Sequence, residues 1–174
     1  THYEIGSWIT AVCEDRFGVL WIGARSGLYR FDEDTGQATL ITSERGWVEV
    51  IHEDRAGRLW FGTEDGFLSL LDRSSGQFVD YTIAAPPTSI LEDDAGLIWV
   101  GTYCGGLARF DPRTETFRQY DADDGIGGNA FLAGAAFFSS SMVKSGAVDM
   151  LRRSKSTSSS CFLIGATSVA IPPS

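Results

Sequence analysis

E-D-R-F-G-V-L-W-I-G-A-R-S-G-L-Y-R-F, residues 14–31, is the first of three copies of one pattern. The second is E-D-R-A-G-R-L-W-F-G-T-E-D-G-F-L-S-L-L from Glu53, and the third is E-D-D-A-G-L-I-W-V-G-T-Y-C-G-G-L-A-R-F from Glu92. Trp21, Trp60 and Trp99 stand 39 residues apart, and so do Gly18, Gly57 and Gly96. A fixed period of this length is the mark of a repeat architecture.

Each copy divides in the same way. An apolar run, Trp8 to Glu14 (then Trp47 to Glu53, Pro86 to Glu92), reads as a strand with apolar residues on both faces, hence buried on both. Asp15-Arg16-Phe17-Gly18 and its counterparts read as a hairpin turn, Asp bonding backbone two residues on and Gly taking positive φ. Val19 to Ala24, Arg58 to Thr63 and Leu97 to Thr102 form the second strand. The Gly after each Trp-aliphatic or Trp-aromatic pair points to close approach of a neighbouring sheet. The tryptophans are therefore read as core. A third strand ends at Asp32, Asp72 and Asp111, and a fourth covers Gln37 to Ile41, Gln77 to Tyr81 and Thr116 to Tyr120. Four short antiparallel strands per 39 or 40 residues, with no helical period, form the unit of a β-propeller, whose blades cover one another's faces. A β-sandwich does not require Trp-x-Gly at fixed spacing.

The expected architecture is all-β: a partial β-propeller of three four-stranded antiparallel blades plus a degenerate fourth. The blades span about residues 8–46, 47–85 and 86–124 within a 1–130 region. Over 131–174 the pattern fails. Phe138 and Ser140 stand where a fourth Trp and Gly are due, and nine of the 22 residues from 139 to 160 are Ser. This segment is read as a degenerate fourth blade, a disordered tail or a shifted reading frame. An open arc, a fragment of a larger propeller, is expected.

The 174 residues carry 23 acidic and 14 basic side chains, a net charge of −9. Nucleic acid is thereby excluded as a partner, because a phosphate-binding surface needs a basic face. Three cysteines without C-x-x-C spacing give neither a zinc pattern nor a disulfide framework. The longest apolar stretch, Cys161 to Ile171, is too short and too interrupted to span a bilayer. The sequence given shows no signal peptide.

No catalytic or metal-binding residue and no cofactor are predicted. His52 shares a repeat column with Cys13 and Leu91 and is read as a packed strand residue. The paired carboxylates Glu14-Asp15, Glu53-Asp54 and Glu92-Asp93 recur at a turn and are read as structural caps. Calcium would need more carboxylates at alternate positions. Function is assigned to binding. The loops between second and third strands, and those between blades, share one edge and vary most. The candidate ligand-binding residues are Arg25, Glu64, Asp65 and Tyr103.

The run V-x-x-I-x-E-D-x-x-G-x-L-W-I-G-T-x-x-G-G-L-x-R-F-D, seen in Ile90 to Asp111 and with small departures in Val12 to Asp32 and Ile51 to Asp72, resembles the two-component regulator propeller repeat. Ala24 departs from the usual Thr and Phe67 from the usual second Gly. Asn129 to Phe138 is similar to the start of that family's last, atypical repeat. The resemblance implies a periplasmic or extracytoplasmic sensor module of a hybrid histidine kinase, binding a small molecule such as a carbohydrate. It implies as partners the remaining propeller blades and the signalling domains of a parent chain, including a membrane helix absent from this sequence. Two other readings stay open: a protein-interaction propeller with no kinase, and a propeller enzyme, for which no unrepeated acid, base or metal cluster is found.

Overall fold

A computed structural model describes residues 5–126 and 161–163. The first sheet contains β1 (Ile9–Glu14), β2 (Leu20–Ala24), β3 (Gly27–Asp32) and β4 (Gln37–Thr42). The second contains β5 (Val48–Glu53), β6 (Leu59–Thr63), β7 (Phe67–Asp72) and β8 (Gln77–Thr82). The third contains β9 (Pro87–Glu92), β10 (Ile98–Thr102), β11 (Leu107–Asp111) and β12 (Thr116–Tyr120). Each is an antiparallel meander paired in sequence order. A 3-10 turn follows at Ala122–Asp124. A short strand β13 (Cys161–Leu163) lies antiparallel along the free edge of β1. The remaining readings for residues 131–174 fall outside the described residues. Cys13 is disulfide-bonded, which the odd cysteine count did not predict.

Burial grades across each sheet. The second strands β2, β6 and β10 are buried at every position. The fourth strands β4, β8 and β12 are mostly exposed. Full burial thus belongs to the Trp-bearing strand, whereas β1 alternates buried and half-buried residues. The observed first strands also begin one residue later than their apolar runs, which leaves Trp8, Trp47 and Pro86 just outside the sheets.

The sheets stack face to face in two seams. Ile51 packs into the first, with Trp21, Leu28, Leu59, Phe61 and Leu71. Its neighbour Val50 packs into the second, with Trp60, Leu68, Ile98, Val100 and Phe110. Adjacent residues of β5 therefore serve opposite faces, as the two-residue period of a strand requires. The strand glycines lie where the sheets come closest. A Cβ on Gly23 would stand 2.9 Å from the Val48 carbonyl oxygen, and one on Gly62 would stand 2.5 Å from Pro87 Cβ.

The repeated E-D turn is a polar fastener. Asp15, Asp54 and Asp93 are buried. Each accepts a 2.8 Å hydrogen bond from the indole Nε1 six residues on, in Trp21, Trp60 and Trp99. Their second oxygens accept turn amides: Phe17 and Val19, Arg58, and Ala95 and Leu97. Burial alone would push the Asp15 carboxyl up. The Trp21 indole, the Val19 and Phe17 amides and the Arg73 guanidinium outweigh it and hold the group below its usual range. The preceding glutamates reach between sheets. Glu53 accepts the Arg16 amide at 2.8 Å and Glu92 accepts the Arg55 amide at 2.7 Å. The reading of the paired carboxylates as structural caps holds for Asp15, Asp54 and Asp93 and for Glu53 and Glu92.

Candidate functional site

The β2–β3, β6–β7 and β10–β11 loops and the links between sheets share one edge. At this edge the backbone pins each variable loop residue to the residue that precedes a first strand. Arg25 N donates to the Trp8 carbonyl at 3.0 Å, Glu64 N to Trp47 at 3.0 Å and Tyr103 N to Pro86 at 2.9 Å. The column Trp8, Trp47, Pro86 and the column Arg25, Glu64, Tyr103 therefore form paired steps along the edge.

Arg25 is the centre of the first step. Its guanidinium carbon lies 4.1 Å from the Trp47 ring centroid and 5.3 Å from that of Trp8, within the range of a cation–π contact. It bridges two sheets, since Trp8 leads into β1 and Trp47 into β5. Trp8 is 45% exposed, which leaves much of its ring open to solvent. Glu49 of β5 is half-buried beneath this group. Burial pushes its carboxyl up, Glu64 pushes it further, and Arg25 partly offsets both.

The structure thus brings Arg25 and Glu64 into one electrostatic neighbourhood around Glu49. Asp65 lies against the preceding link, its carboxylate 3.3 Å from where a Cβ on Gly46 would stand. Tyr103 stands on the third sheet, 55% exposed. Trp8, Trp47 and Glu49 are components that the sequence reading did not assign to the edge. Their signal was a column that is Trp in two copies and Pro in the third, unlike the invariant core tryptophans. Chemically, the edge offers an open indole face, guanidinium donors and carboxylate acceptors on a rigid base. Such a combination suits a polar ligand with one apolar face.

Among the described residues no group of three His, Cys, Asp or Glu side chains is placed to hold a metal ion. No described helix is long and apolar enough to cross a membrane. His52 is packed within β5, where burial pulls its pKa down to about 4 against a smaller upward pull from Asp54.

The family model for the two component regulator propeller matches residues 3–26, 45–65 and 84–104. Solved structures share the fold. The extracellular domain of a B. thetaiotaomicron protein described as the hybrid two component system BT4673 is 27% identical, with a TM-score of 0.56, over 66% of this chain and 18% of that one. The extracellular domain of BT3049, described likewise and from the same organism, is 27% identical with a TM-score of 0.56, over 63% of this chain and 16% of that one. Virginiamycin B lyase from Staphylococcus aureus is 21% identical with a TM-score of 0.55, over 66% of this chain and 41% of that one, a likeness of fold alone. The chain spans less than a fifth of the length of the two-component structures it matches. It has no significant match among curated proteins.

Proposed function

We infer, from a chain that carries three two component regulator propeller repeats, that it is part of the extracytoplasmic sensor region of a two-component signalling protein. The observation that carries this reading is the likeness to two extracellular domains of hybrid two-component systems, each at 27% identity. The remaining blades and the signalling output are assigned to a parent chain. No catalytic role is assigned to these residues.

The ligand-binding surface is the loop edge around Arg25, with Glu64, Asp65 and Tyr103 along it. We assign it a small polar ligand, a saccharide being the class that the residues suit. The exposed Trp8 ring supplies a face for the apolar side of a sugar ring. Arg25 and the carboxylates of Glu49 and Glu64 supply donors and acceptors for hydroxyls.

Isothermal titration of the chain against a panel of neutral and acidic oligosaccharides tests this. Saturable binding to one class is expected, with Trp8→Ala and Arg25→Ala each weakening it at least tenfold. Asp32→Ala, at an exposed turn on the opposite edge, leaves it unchanged. Saturation by no saccharide, or binding indifferent to both edge substitutions, overturns the assignment. Retention of a protein partner through the same edge, with no saccharide bound, selects the interaction-platform reading instead.

A further inference from the structure

The two seams between sheets are built from corresponding residues, so each serves as a control for the other. In the second seam the space beside Trp60 is filled by aromatic rings. Tyr81 lies 6.2 Å and Phe110 5.6 Å from the Trp60 ring, and the two are 4.5 Å apart. The Tyr81 hydroxyl donates to Glu115 at 3.0 Å, which holds that ring in place. Arg58 closes the turn end, its Nε 2.6 Å from Asp54.

In the first seam the counterparts at these four positions are smaller, and Arg73 takes the place of Arg58 at the turn end, 2.9 Å from Asp15 and 5.8 Å from the Trp21 ring centroid. By repeat position Tyr81 corresponds to Ile41, Phe110 to Leu71, Glu115 to Gly76 and Arg58 to Val19. A pocket of about 400 Å³, open to solvent on one side, lies there, lined by those four residues together with Trp21, Phe17 and three charged side chains. It sits by the β1–β2 and β7–β8 turns, at the edge opposite the Arg25 group. An apolar cavity of about 150 Å³ suffices for benzene, so this one has room for a ring bearing a substituent.

Charge changes along with volume. The lining of the first seam carries Arg30 and Arg73 against Asp15. The corresponding positions of the second carry Arg58 against Asp54 and Glu115. One seam is therefore cationic by one charge and the other anionic by one. Arg73 is engaged by Asp15 at 2.9 Å and Glu53 at 3.1 Å. Arg30, the cross-strand neighbour of Trp21, forms no ion pair among the described residues.

We propose that this cavity is a binding site for a small aryl carboxylate. The ligand's ring takes the space that Tyr81 and Phe110 fill in the second seam, against Trp21. Its carboxylate lies on the Arg30 guanidinium, with Phe17 at the rim. This site is separate from the loop edge and does not depend on the reading given to that edge.

The test uses the full chain and 4-fluorobenzoate, followed by fluorine NMR and calorimetry, with 4-fluorobenzyl alcohol and acetate as probes lacking the charge or the ring. Saturable binding of the benzoate is expected, at least tenfold tighter than either comparator. Arg30→Gln weakens it about two- to fivefold, the size of effect the loss of an exposed ion pair produces. Leu71→Phe, which restores the residue of the second seam, abolishes binding while keeping or raising the urea midpoint. Should Leu71→Phe unfold, Arg30→Gln, at an exposed side chain, still decides the matter. Absence of saturation, equal binding of the alcohol, or binding unchanged in Arg30→Gln overturns the proposal.

Discussion

Replacing Asp54 by Ala removes the centre of one repeat's fastener. Asp54 is 1% exposed and accepts the Trp60 indole at 2.8 Å, the Arg58 amide at 2.8 Å and the Arg58 guanidinium at 2.6 Å. The guanidinium is a third exposed, so its share is about 0–1 kcal/mol. The indole and amide bonds are made to a buried carboxylate, and each is worth roughly 1.5–3 kcal/mol. A loss of about 4 kcal/mol is therefore expected, measured as the change in unfolding free energy from urea titration. Trp60→Phe keeps most of the ring but removes its donor, at a cost of about 2 kcal/mol. The two changes share one bond, so the double variant should lose about 1.5–2 kcal/mol less than the sum of the singles. Asp32→Ala serves as the comparison, because Asp32 accepts the Asp34 and Thr35 amides at an exposed turn and is expected to cost about 1 kcal/mol. An Asp54→Ala loss no larger than that of Asp32→Ala, or strict additivity with Trp60→Phe, would refute the reasoning.

Other measurements probe other parts of the structure. His52 titrates near 4 when folded, below its ordinary value of about 6.5. Between those values the unfolded chain binds a proton that the folded chain does not. Stability should therefore fall as pH drops from about 6.5 to about 4, by about 3 kcal/mol, and His52→Leu should flatten that part of a urea-midpoint profile. Gly62→Ala places a Cβ 2.5 Å from Pro87 Cβ and should cost about 1–3 kcal/mol by overpacking, read from the thermal midpoint. Phe110→Leu gives the second seam the residue of the first and should cost about 1–2 kcal/mol through lost contact with Trp60, Tyr81 and Phe117. Glu92→Ala leaves the Arg55 amide without its 2.7 Å partner and should cost roughly 1–3 kcal/mol in the same urea assay.

The strands were legible because their signals are local and repeated. Trp21, Gly23 and the Asp15 turn recur at one interval, and apolar residues on both faces of the strands placed the sheets face to face. The bond from Asp15 to the Trp21 indole was not read, because it crosses a hairpin and depends on how that hairpin folds back. Arg25 and Glu64 could be placed at one edge by strand order alone. Their common neighbour Glu49 and the stacking of Arg25 on Trp47 could not, since both arise between blades, where side chains from separate repeats meet. Trp8 and Trp47 were counted with the strands because their apolar character matches the runs that follow. Only the geometry shows that they stand outside the sheets. The cavity beside Trp21 was hidden for a related reason. Ile41 and Leu71 are ordinary core residues by type, and their small size matters only against Tyr81 and Phe110 one repeat later.

The link from Glu53 to the Arg16 amide, repeated from Glu92 to Arg55, gives the stack a direction. Each sheet offers a turn amide to the sheet after it and a carboxylate to the sheet before it, so the contact is heterologous rather than self-complementary. Sheets joined this way can be added in one sense only and cannot pair back to back. The donor is a main-chain amide in both copies, Arg16 and Arg55, and the bond forms with Phe17 next in one turn and Ala56 next in the other. Blades become interchangeable with respect to order while each seam stays free to differ in what fills it. This is the condition under which duplicated blades can diverge one interface at a time without disturbing the arc.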